Sequence, residues 1–340
     1  MTTEPRLSWG IIGASDIAET RMIPALRRTG HQVRTVSSSN SSHVERYAQR
    51  NSIPAHTADL DELLTDPAVD AVYVSSANDR HLEQVRAAAA AGKHVLCEKP
   101  LSTSLSNARE MTAVCAEARV VLGVNHHLPA AGTHRMIRTL VKGGHIGRVL
   151  SVSVRHTSLL PERLRGWRLS GAPGAGAVMD LSCHNASVVN PLLGTRALTT
   201  SAFAVRQGDW AAEADDASSA TILYENGVIV RFHDTFTTPF APTYIEVLGT
   251  EGSIHAPEVM TPEPIGSVFL HDRRGVREVD VIDRRHTYDI TLDHFARATK
   301  GDGRPVVDGF DAANALAVSM SILESSRTAR HVPVDFRNFQ

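Results

Sequence analysis

A lysine fixed beside a proline is the first residue of this sequence suited to proton chemistry. Glu98-Lys99-Pro100 directly follows the apolar run His94–Cys97, and Pro100 biases Lys99 toward an extended backbone. A lysine held at the carboxyl end of a parallel strand can donate a hydrogen bond or a proton to a reacting oxygen. Taken alone, the tripeptide is better explained by an ordinary surface lysine.

An aspartate and a histidine with helical spacing form the second candidate. Asp180 and His184 are four residues apart, which puts them on one face if the segment is helical. Histidine is the natural proton donor near neutral pH. Two metal ligands could have the same spacing, but no third ligand is evident, so we expect no metal. For Asn125-His126-His127 and His134, we favour a helix-start cluster with ordinary hydrogen bonds over a metal site.

A turn of small residues follows the first apolar run. In the dinucleotide-binding fingerprint, one glycine makes the turn, the next admits the pyrophosphate, and the third packs helix on strand. Here those places hold Gly13, Ser15 and Ala18. Free N–H groups at the following helix start suit an anion. A tight turn without a ligand explains the same residues equally well.

The residues after the second apolar run bear on the choice of cofactor. A carboxylate there would accept hydrogen bonds from a ribose 2′-OH and repel a 2′-phosphate. The sequence has Ser37-Ser38-Ser39-Asn40 instead. NADP is therefore permitted, although a polar loop without a ligand remains an alternative.

Alternating short apolar runs and amphipathic stretches must position these residues over the first 125 positions. Strand-helix repeats predict an α/β Rossmann domain with a parallel, doubly wound sheet. The predicted strands are Leu7–Ile12, Val33–Ser37, Ala71–Val74, His94–Leu96 and Val120–Val124. The predicted helices are Ile17–Arg28, Ser42–Arg50, Asp79–Ala91 and Leu105–Ala118.

The pattern changes in residues 126–340, which we predict to be an α+β domain with an open, mostly antiparallel sheet. Glu225-Asn226-Gly227 is typical of a hairpin turn between two of its strands. The strands expected here are Val149–Val154, Ala197–Val205, Ser219–Tyr224, Val228–Phe232, Tyr244–Leu248, Ser267–Leu270 and Val276–Val281. The expected helices are Ala130–Lys142, Tyr288–Thr299 and Asp311–Arg327.

Composition excludes several classes of partner. Lys+Arg 35 against Asp+Glu 37 gives a net charge of −2, and aromatics make up only 5%, so a nucleic-acid partner is not expected. No run of about 18 apolar residues and no secretory signal is evident, so we expect a cytoplasmic protein with no membrane partner. Cys97, Cys115 and Cys183 are odd in number and widely spaced, which favours reduced thiols. With nucleic-acid and membrane partners not expected, we expect a small-molecule partner.

Together, the degenerate fingerprint, Glu98-Lys99-Pro100 and Asp180-x-x-x-His184 resemble the Gfo/Idh/MocA oxidoreductase family along nearly the whole chain. The resemblance implies hydride transfer between a nicotinamide cofactor and a polyol or sugar. Further fragments resemble those members that reduce a sugar-derived ketone, a 1,5-anhydroketose, with NADPH. They are Gly13–Ala18, Ser37–Ser39, His94–Pro100, Asn125–Leu128, Gly166–Leu169 and Phe232–Thr238.

The resemblance also implies roles for individual residues. Lys99, Asp180 and His184 would be catalytic, and His156, Trp167 and Arg168 would contact the sugar substrate. The implied contacts of the cofactor are Gly13, Ala14, Ser15, Asp16, Ile17, Ser38, Ser39, His43, Ser76, Asn78, His81, Glu98, Lys99, Asn125, Trp167, Arg168 and Tyr288.

Two departures from the family pattern limit these implications. His43 stands where relatives place an arginine beside the 2′-phosphate, so we expect NADP(H) with weaker use of NAD(H). An acidic residue expected near Asn185–Ser187 is replaced, which leaves the substrate open. Alternatives are another NAD(P)-linked polyol, inositol or aldose dehydrogenase, or a non-catalytic NADP-binding sensor. An uncovered outer face of the second sheet predicts a homo-oligomer, a dimer or higher.

Overall fold

The computed structural model describes residues 6–210 and 212–336, which divide into two compact units. The first unit comprises the chain up to His127 together with Thr287–Ala313. The second comprises Leu128–His286 and the chain from Asn314 onward. The sequence prediction began the second domain at residue 126 and assigned to it everything that follows. The structure differs in that Thr287–Ala313 belongs with the first sheet.

The first unit contains a six-stranded parallel sheet with the order β3-β2-β1-β4-β5-β6, which confirms the Rossmann prediction. Its inner strands are apolar at successive positions because helices cover both faces. The strands are β1 (Ser8–Ile12), β2 (Gln32–Ser37), β3 (Ala55–Thr57), β4 (Ala71–Val74), β5 (His94–Cys97) and β6 (Leu122–Val124). The helices are α1 (Ile23–Arg28), α2 (Ser41–Arg50), α3 (Leu60–Thr65), α4 (His81–Ala90) and α5 (Leu105–Glu117).

A nine-stranded sheet forms the second unit, with the order β14-β13-β12-β11-β7-β10-β9-β8-β15. Its neighbours are antiparallel except for the parallel pair β7 and β10, which confirms the open, mostly antiparallel sheet. The strands are β7 (Val149–Thr157), β8 (Ala197–Val205), β9 (Ala217–Tyr224), β10 (Ile229–Thr235), β11 (Tyr244–Gly249), β12 (Ser253–Pro257), β13 (Phe269–Asp272), β14 (Gly275–Glu278) and β15 (Val332–Pro333).

Helices cover one face of this sheet. Along β9 and β10 buried and exposed residues alternate, because the opposite face has no such cover. The predicted hairpin joins β9 to β10, with Tyr224 N–H donating to the Val228 carbonyl at 3.0 Å and Gly227 at φ +80°. The helices of this part are α6 (Gly132–Lys142), α7 (Arg165–Arg168) and α8 (Cys183–Leu193), and a π-helical turn (Val178–Ser182) leads into α8.

Two further helices precede β15, namely α9 (Thr287–Ala298) and α10 (Gly309–Thr328). Phe295 of α9 lies in the core of the first unit, where its ring packs against Trp9 of β1 with centroids 5.2 Å apart. Both rings are fully buried. This aromatic contact, which is worth about 0.5–1.5 kcal/mol beyond the area it buries, explains why Thr287–Ala313 belongs with the first sheet.

Cys97, Cys115 and Cys183 are all buried and form no disulfide with one another. Within the described ranges, no helix is both long and apolar enough to cross a membrane.

Gly13 is held in a backbone conformation that other residues rarely adopt. Its φ is +101°, and a Cβ atom added there would lie 2.7 Å from the backbone nitrogen of Ser76, in the loop after β4. The glycine therefore lets the loops after β1 and β4 approach closely. Gly92, which follows α4, also has a positive φ of +70°, but no heavy atom lies within 4 Å of a Cβ added there.

We expect Gly13→Ala to lower the free energy of unfolding by about 3 kcal/mol, because backbone strain and a backbone clash combine. Gly92→Ala is the matched control, and strain alone should cost about 1 kcal/mol there. Urea denaturation of both variants measures the difference. Equal losses would contradict the close approach at Gly13.

Candidate active site

Ser15 organises the turn between β1 and the first helix. The helix begins at residue 16 and continues through a π-helical turn (Ala18–Met22) into α1. The hydroxyl of Ser15 accepts a hydrogen bond from Ala18 N–H at 3.2 Å and donates to the Ser75 hydroxyl at 2.8 Å. The serine that weakens the fingerprint thus caps the helix and ties this turn to the loop after β4.

Two residues of α2 also hold this turn. The buried Tyr47 hydroxyl donates to the Ser15 carbonyl at 2.9 Å, and His43 Nε2 lies 3.2 Å from the Ala14 carbonyl. Burial raises the pKa of Tyr47, so the phenol remains a donor. The sequence prediction missed Tyr47, although its position four residues after His43, on the same face of the helix, was a usable signal.

Hydroxyl and amide groups surround the start of α2. Ser38 is half-buried and Ser39 is exposed. Asn40 caps the helix, because its side-chain oxygen accepts from His43 N–H at 3.0 Å and from the Ser42 hydroxyl at 3.1 Å. No carboxylate occurs between Ser37 and His43. The end of β2 therefore offers donors and no negative charge.

His81 connects the loops after β4 and β5. Its Nδ1 lies 3.2 Å from the Leu101 carbonyl and its Nε2 lies 3.3 Å from the Ser76 carbonyl. Burial lowers the pKa of His81 even though both carbonyls and Glu98 favour the charged ring. His81 therefore links these two loops through its two ring nitrogens. Asn78 begins the short 3₁₀ turn just before it.

Glu98 is a buried acceptor at the end of β5. Its Oε1 accepts from Asn125 Nδ2 at 2.5 Å and from the Tyr73 hydroxyl, and its Oε2 accepts from Lys99 N–H at 3.2 Å. Burial and the charge of Glu98 raise the pKa of Tyr288, whereas a hydrogen bond with Asn125 opposes that shift. Four predicted residues, Glu98, Lys99, Asn125 and Tyr288, therefore lie together.

The histidines after Asn125 have ordinary surroundings. Burial, together with the positive charge of Lys99, lowers the pKa of His126 to about 3, so this ring is neutral at physiological pH. His127 stacks on Tyr288 with ring centroids 5.0 Å apart, and its Nδ1 lies 3.3 Å from the Thr287 hydroxyl. The described residues hold no cluster of three or more histidines, cysteines or carboxylates that could bind a metal ion.

In the second unit, Arg168 contacts a predicted catalytic residue. Its Nε donates to Asp180 Oδ2 at 3.0 Å, and its guanidinium lies over the Trp167 ring, 4.7 Å from the centroid. Asp180 is in the π-helical turn, so the predicted helical spacing with His184 spans a π turn and the start of α8. Trp167 is 46% exposed. An aromatic face and a fork of donors thus lie beside the carboxylate.

His156 of β7 and His184 of α8 form a buried pair with ring centroids 6.2 Å apart. His156 Nδ1 lies 3.1 Å from the side-chain oxygen of Asn185. Asn185 Nδ2 in turn donates to Asp234 Oδ1 at 2.6 Å, and the Ser182 hydroxyl donates to Asp234 Oδ2 at 2.5 Å. The segment that carries His184 is therefore bonded to β10 on both sides of that histidine.

Asp234 is fully buried, and sequence analysis did not single it out. Burial raises its pKa to about 7 even though the hydrogen bonds from Ser182 and Asn185 favour the charged form. The available signal was its position two residues after Phe232, where the alternation of the predicted strand Val228–Phe232, if continued, gives a buried residue. A carboxylate at such a position must be hydrogen-bonded.

Comparison with known proteins identifies the family. The model described as "Oxidoreductase family, NAD-binding Rossmann fold" matches residues 7–126, and "GFO/IDH/MocA C-terminal domain" matches residues 134–255. The chain is 39% identical to 1,5-anhydro-D-fructose reductase of Ensifer adhaerens over 96% of its own length and 98% of that relative. The chain belongs to the Gfo/Idh/MocA oxidoreductase family. The predicted enzyme class is confirmed.

Other similar proteins act on related compounds according to their names. D-xylose 1-dehydrogenase (NADP(+)) 2 of Haloferax volcanii is 28% identical over 97% of this chain and 100% of the relative. Among solved structures, an aldose-aldose oxidoreductase from Caulobacter crescentus complexed with glycerol aligns with a TM-score of 0.87 at 22% identity, covering 96% of this chain and 99% of that one. Levoglucosan dehydrogenase in complex with NADH and levoglucosan aligns with a TM-score of 0.85 at 21% identity, covering 97% and 99%. The likeness to these two structures shows that the chain shares their fold.

The raised pKa of Asp234 makes a prediction about stability. For an acid whose pKa is higher in the folded state, the stabilising effect of protonation is complete below the unfolded value and is lost as pH rises through the folded value. For Asp234 that window runs from pH 3.8 to about 7. Relative to wild type, Asp234→Asn should therefore gain about 4 kcal/mol in free energy of unfolding across this window.

Denaturant unfolding between pH 4 and pH 8 measures this gain. Asp283 is the control, because hydrogen bonds from Arg285 and Arg135 lower its pKa to about 2. Asp283→Asn should lack the gain between pH 4 and pH 8, since its carboxyl is ionised throughout. Parallel curves for wild type and Asp234→Asn would contradict the raised pKa.

Proposed function

We propose that this enzyme reduces a sugar-derived ketone with NADPH, and that its substrate is 1,5-anhydro-D-fructose, reduced at C2 to 1,5-anhydro-D-mannitol. The observation that carries the proposal is the 39% identity to 1,5-anhydro-D-fructose reductase along nearly the full length of both chains. The cluster in which Arg168 donates to Asp180 and lies over the Trp167 ring supports it, since hydroxylated rings suit an aromatic face beside a fork of donors.

The residues of the first unit fit a dinucleotide. Gly13 allows the close approach of two loops, and a capped helix begins at residue 16 with its N–H groups at the end of β1. When bound, the nicotinamide supplies the hydride. The residues proposed to hold the cofactor are Gly13, Ala14, Ser15, Asp16, Ile17, Ser38, Ser39, His43, Ser76, Asn78, His81, Glu98, Lys99, Asn125, Trp167, Arg168 and Tyr288.

The catalytic roles follow from the chemistry of ketone reduction. As a ketone is reduced, negative charge develops on its oxygen, and a proton must reach that oxygen. In the proposed mechanism, Lys99 stabilises the charge by a hydrogen bond and His184 donates the proton. Asp180 orients His184 and is itself held by Arg168. Glu98 fixes the backbone N–H of Lys99.

The proposed preference for NADPH is moderate. Hydroxyl donors and the absence of a carboxylate after β2 favour a 2′-phosphate. His43, however, directs its Nε2 toward the Ala14 carbonyl and lacks the bidentate fork of donors that an arginine offers to a phosphate. NADH should therefore remain a usable but weaker cofactor.

A second candidate function is oxidation of an aldose, because the chain is 28% identical over nearly its whole length to a D-xylose 1-dehydrogenase. A panel of ketoses, osones, aldoses and polyols, assayed in both directions with both cofactors, separates the two. The highest kcat/KM for 1,5-anhydro-D-fructose with NADPH supports the first. The highest value for an aldose with NADP supports the second. No turnover with any compound would leave a non-catalytic sensor as the remaining reading.

The catalytic assignment predicts that Lys99→Ala and His184→Ala each lower kcat by about a hundredfold or more, because general acid catalysis contributes at least that factor. NADPH binding, followed by its fluorescence, should be retained. Lys142→Ala and His145→Ala change exposed residues of the same types and should leave kcat unchanged. Turnover near the wild-type value in either test variant would remove that residue from the mechanism.

The cofactor assignment predicts that Ser38→Asp reverses the preference from NADPH to NADH. The new carboxylate should repel the 2′-phosphate and accept a hydrogen bond from the ribose 2′-OH. Ser38→Ala removes the hydroxyl without adding charge and should only reduce the preference. The ratio of kcat/KM for the two cofactors measures the change, and a constant ratio across all three proteins would mean that the 2′ position lies elsewhere.

We further propose that a second copy of the chain covers the outer face of the nine-stranded sheet. Phe203 and Val205 of β8, Leu223 of β9 and Ile229 of β10 are exposed there, and Phe203 is 75% exposed. Leu223 and Ile229 are directly paired across their strands and form one apolar pair on this face, and Phe203 and Val205 lie toward the other end of β9. In a two-fold symmetric dimer, this face of one subunit would pack against the same face of the other subunit, and both would be buried.

Light scattering should give a mass that is a multiple of 36.8 kDa for the wild-type chain. Phe203→Glu should shift the protein toward the monomer, because it places a charge in the paired face. Phe240→Glu is the control, since Phe240 is 95% exposed and lies in a loop outside the sheet. A wild-type monomer at micromolar concentration would contradict the proposal.

A further inference from the structure

A chain of three buried side chains runs from β10 to His156 in the second unit. Asp234 Oδ1 accepts from Asn185 Nδ2 at 2.6 Å, and Asn185 Oδ1 lies 3.1 Å from His156 Nδ1. Asp234 and Asn185 are fully buried, and His156 is 9% exposed. Each member therefore depends on its protein neighbours for hydrogen bonds.

The chemistry of these groups fixes the direction of every hydrogen bond. Above the pKa of Asp234, its carboxylate only accepts, so the amide nitrogen of Asn185 faces Asp234 and its oxygen faces His156. That oxygen also only accepts, so the proton of a neutral His156 ring is on Nδ1. The other nitrogen, Nε2, then carries the lone pair.

We propose that Asp234 is a positioning residue that, through Asn185, keeps the proton of His156 on Nδ1, so that His156 Nε2 accepts a hydrogen bond from a substrate hydroxyl. The proposal rests on the proposed function in two respects, namely that the substrate is a hydroxylated sugar derivative and that His156 contacts it, as the family resemblance implies. A ketone oxygen has no hydrogen to donate. His156 thus selects a hydroxyl group of the substrate and is not matched to the reacting carbonyl.

The same carboxylate also restrains the segment that carries His184. Ser182 donates to Asp234 Oδ2 at 2.5 Å, so hydrogen bonds to Asp234 occur on both sides of His184 in the sequence. The rings of His156 and His184 have centroids 6.2 Å apart. One buried group therefore sets the ring state of His156 and the backbone position of its neighbour.

Nitrogen-15 NMR of histidine-labelled protein tests the ring state directly. At about pH 8.5, where an ordinary histidine is neutral, wild-type His156 should be protonated on Nδ1. Its signals are assigned by their loss in His156→Gln. Wild-type protonation on Nε2 would overturn the proposal without any variant being needed.

Variants test the connection to Asp234. Asn185→Ala and Asp234→Ala should shift the proton of His156 toward Nε2. Asp234→Asn should preserve the wild-type form, because its carbonyl oxygen can still accept from Asn185 while its amide faces the Ser182 oxygen. Asn190→Ala is the matched control: it removes an asparagine of the same helix that accepts from the Tyr224 hydroxyl at 2.7 Å. A shift of equal size in Asn190→Ala would overturn the proposal.

Kinetics test the role of the Nε2 lone pair. Asn185→Ala should raise KM about tenfold, the value of one hydrogen bond, with a smaller change in kcat. A deoxy analogue lacking the recognised hydroxyl should raise the wild-type KM similarly and remove most of the effect of Asn185→Ala. An unchanged KM in Asn185→Ala would overturn the substrate contact. The NMR readout needs no turnover, so failure of the proposed function would appear separately, as inactivity with His156 still protonated on Nδ1.

Discussion

Parallel hydrogen bonding imposes one constraint on the first unit: all six strands end at the same edge of the sheet. The turn at Gly13, the hydroxyl-rich segment at Ser38 and the rigid Lys99 are gathered at that edge for this reason. The loops that follow the strands, however, lack the backbone hydrogen bonds of the sheet. Side-chain contacts hold these loops instead: Ser15 is hydrogen-bonded to Ser75, and His81 lies between the Ser76 and Leu101 carbonyls. The strand direction collects the groups, and these local bonds fix their positions.

Each unit also contains a buried carboxylate that joins distant parts of the sequence. Glu98 accepts from Asn125 and Tyr73, and Asp234 accepts from Ser182 and Asn185. Burial of a charge is costly unless several donors surround it. Both carboxylates meet that condition, and both lie next to proposed catalytic residues. The need to satisfy a buried charge thus restricts which conformations the neighbouring site can adopt.

Much of this organisation was predictable because it depends on local patterns. Apolar periodicity located most of the long strands and helices, although α8 was not among the predicted helices, and Glu98-Lys99-Pro100 lies at the end of β5 as the pattern indicates. Short elements such as β3 and α3 were missed because three to six residues give too few repeats of a period. The attachment of α9 to the first sheet was also missed, because its amphipathic pattern does not reveal which sheet it covers. Tyr47, Asn185 and Asp234 act through partners that only the folded chain brings near.

The contact between Trp9 and Phe295 has a consequence for synthesis of the protein. Trp9 leaves the ribosome well before its ring partner Phe295, which follows 286 positions later. The whole second sheet up to β14 is made during that interval. Vectorial synthesis therefore produces a first unit with an incomplete core until α9 has emerged. A circular permutant with new termini between residues 127 and 128, or between residues 286 and 287, would place residues 287–313 ahead of Trp9 in the order of synthesis and remove this delay.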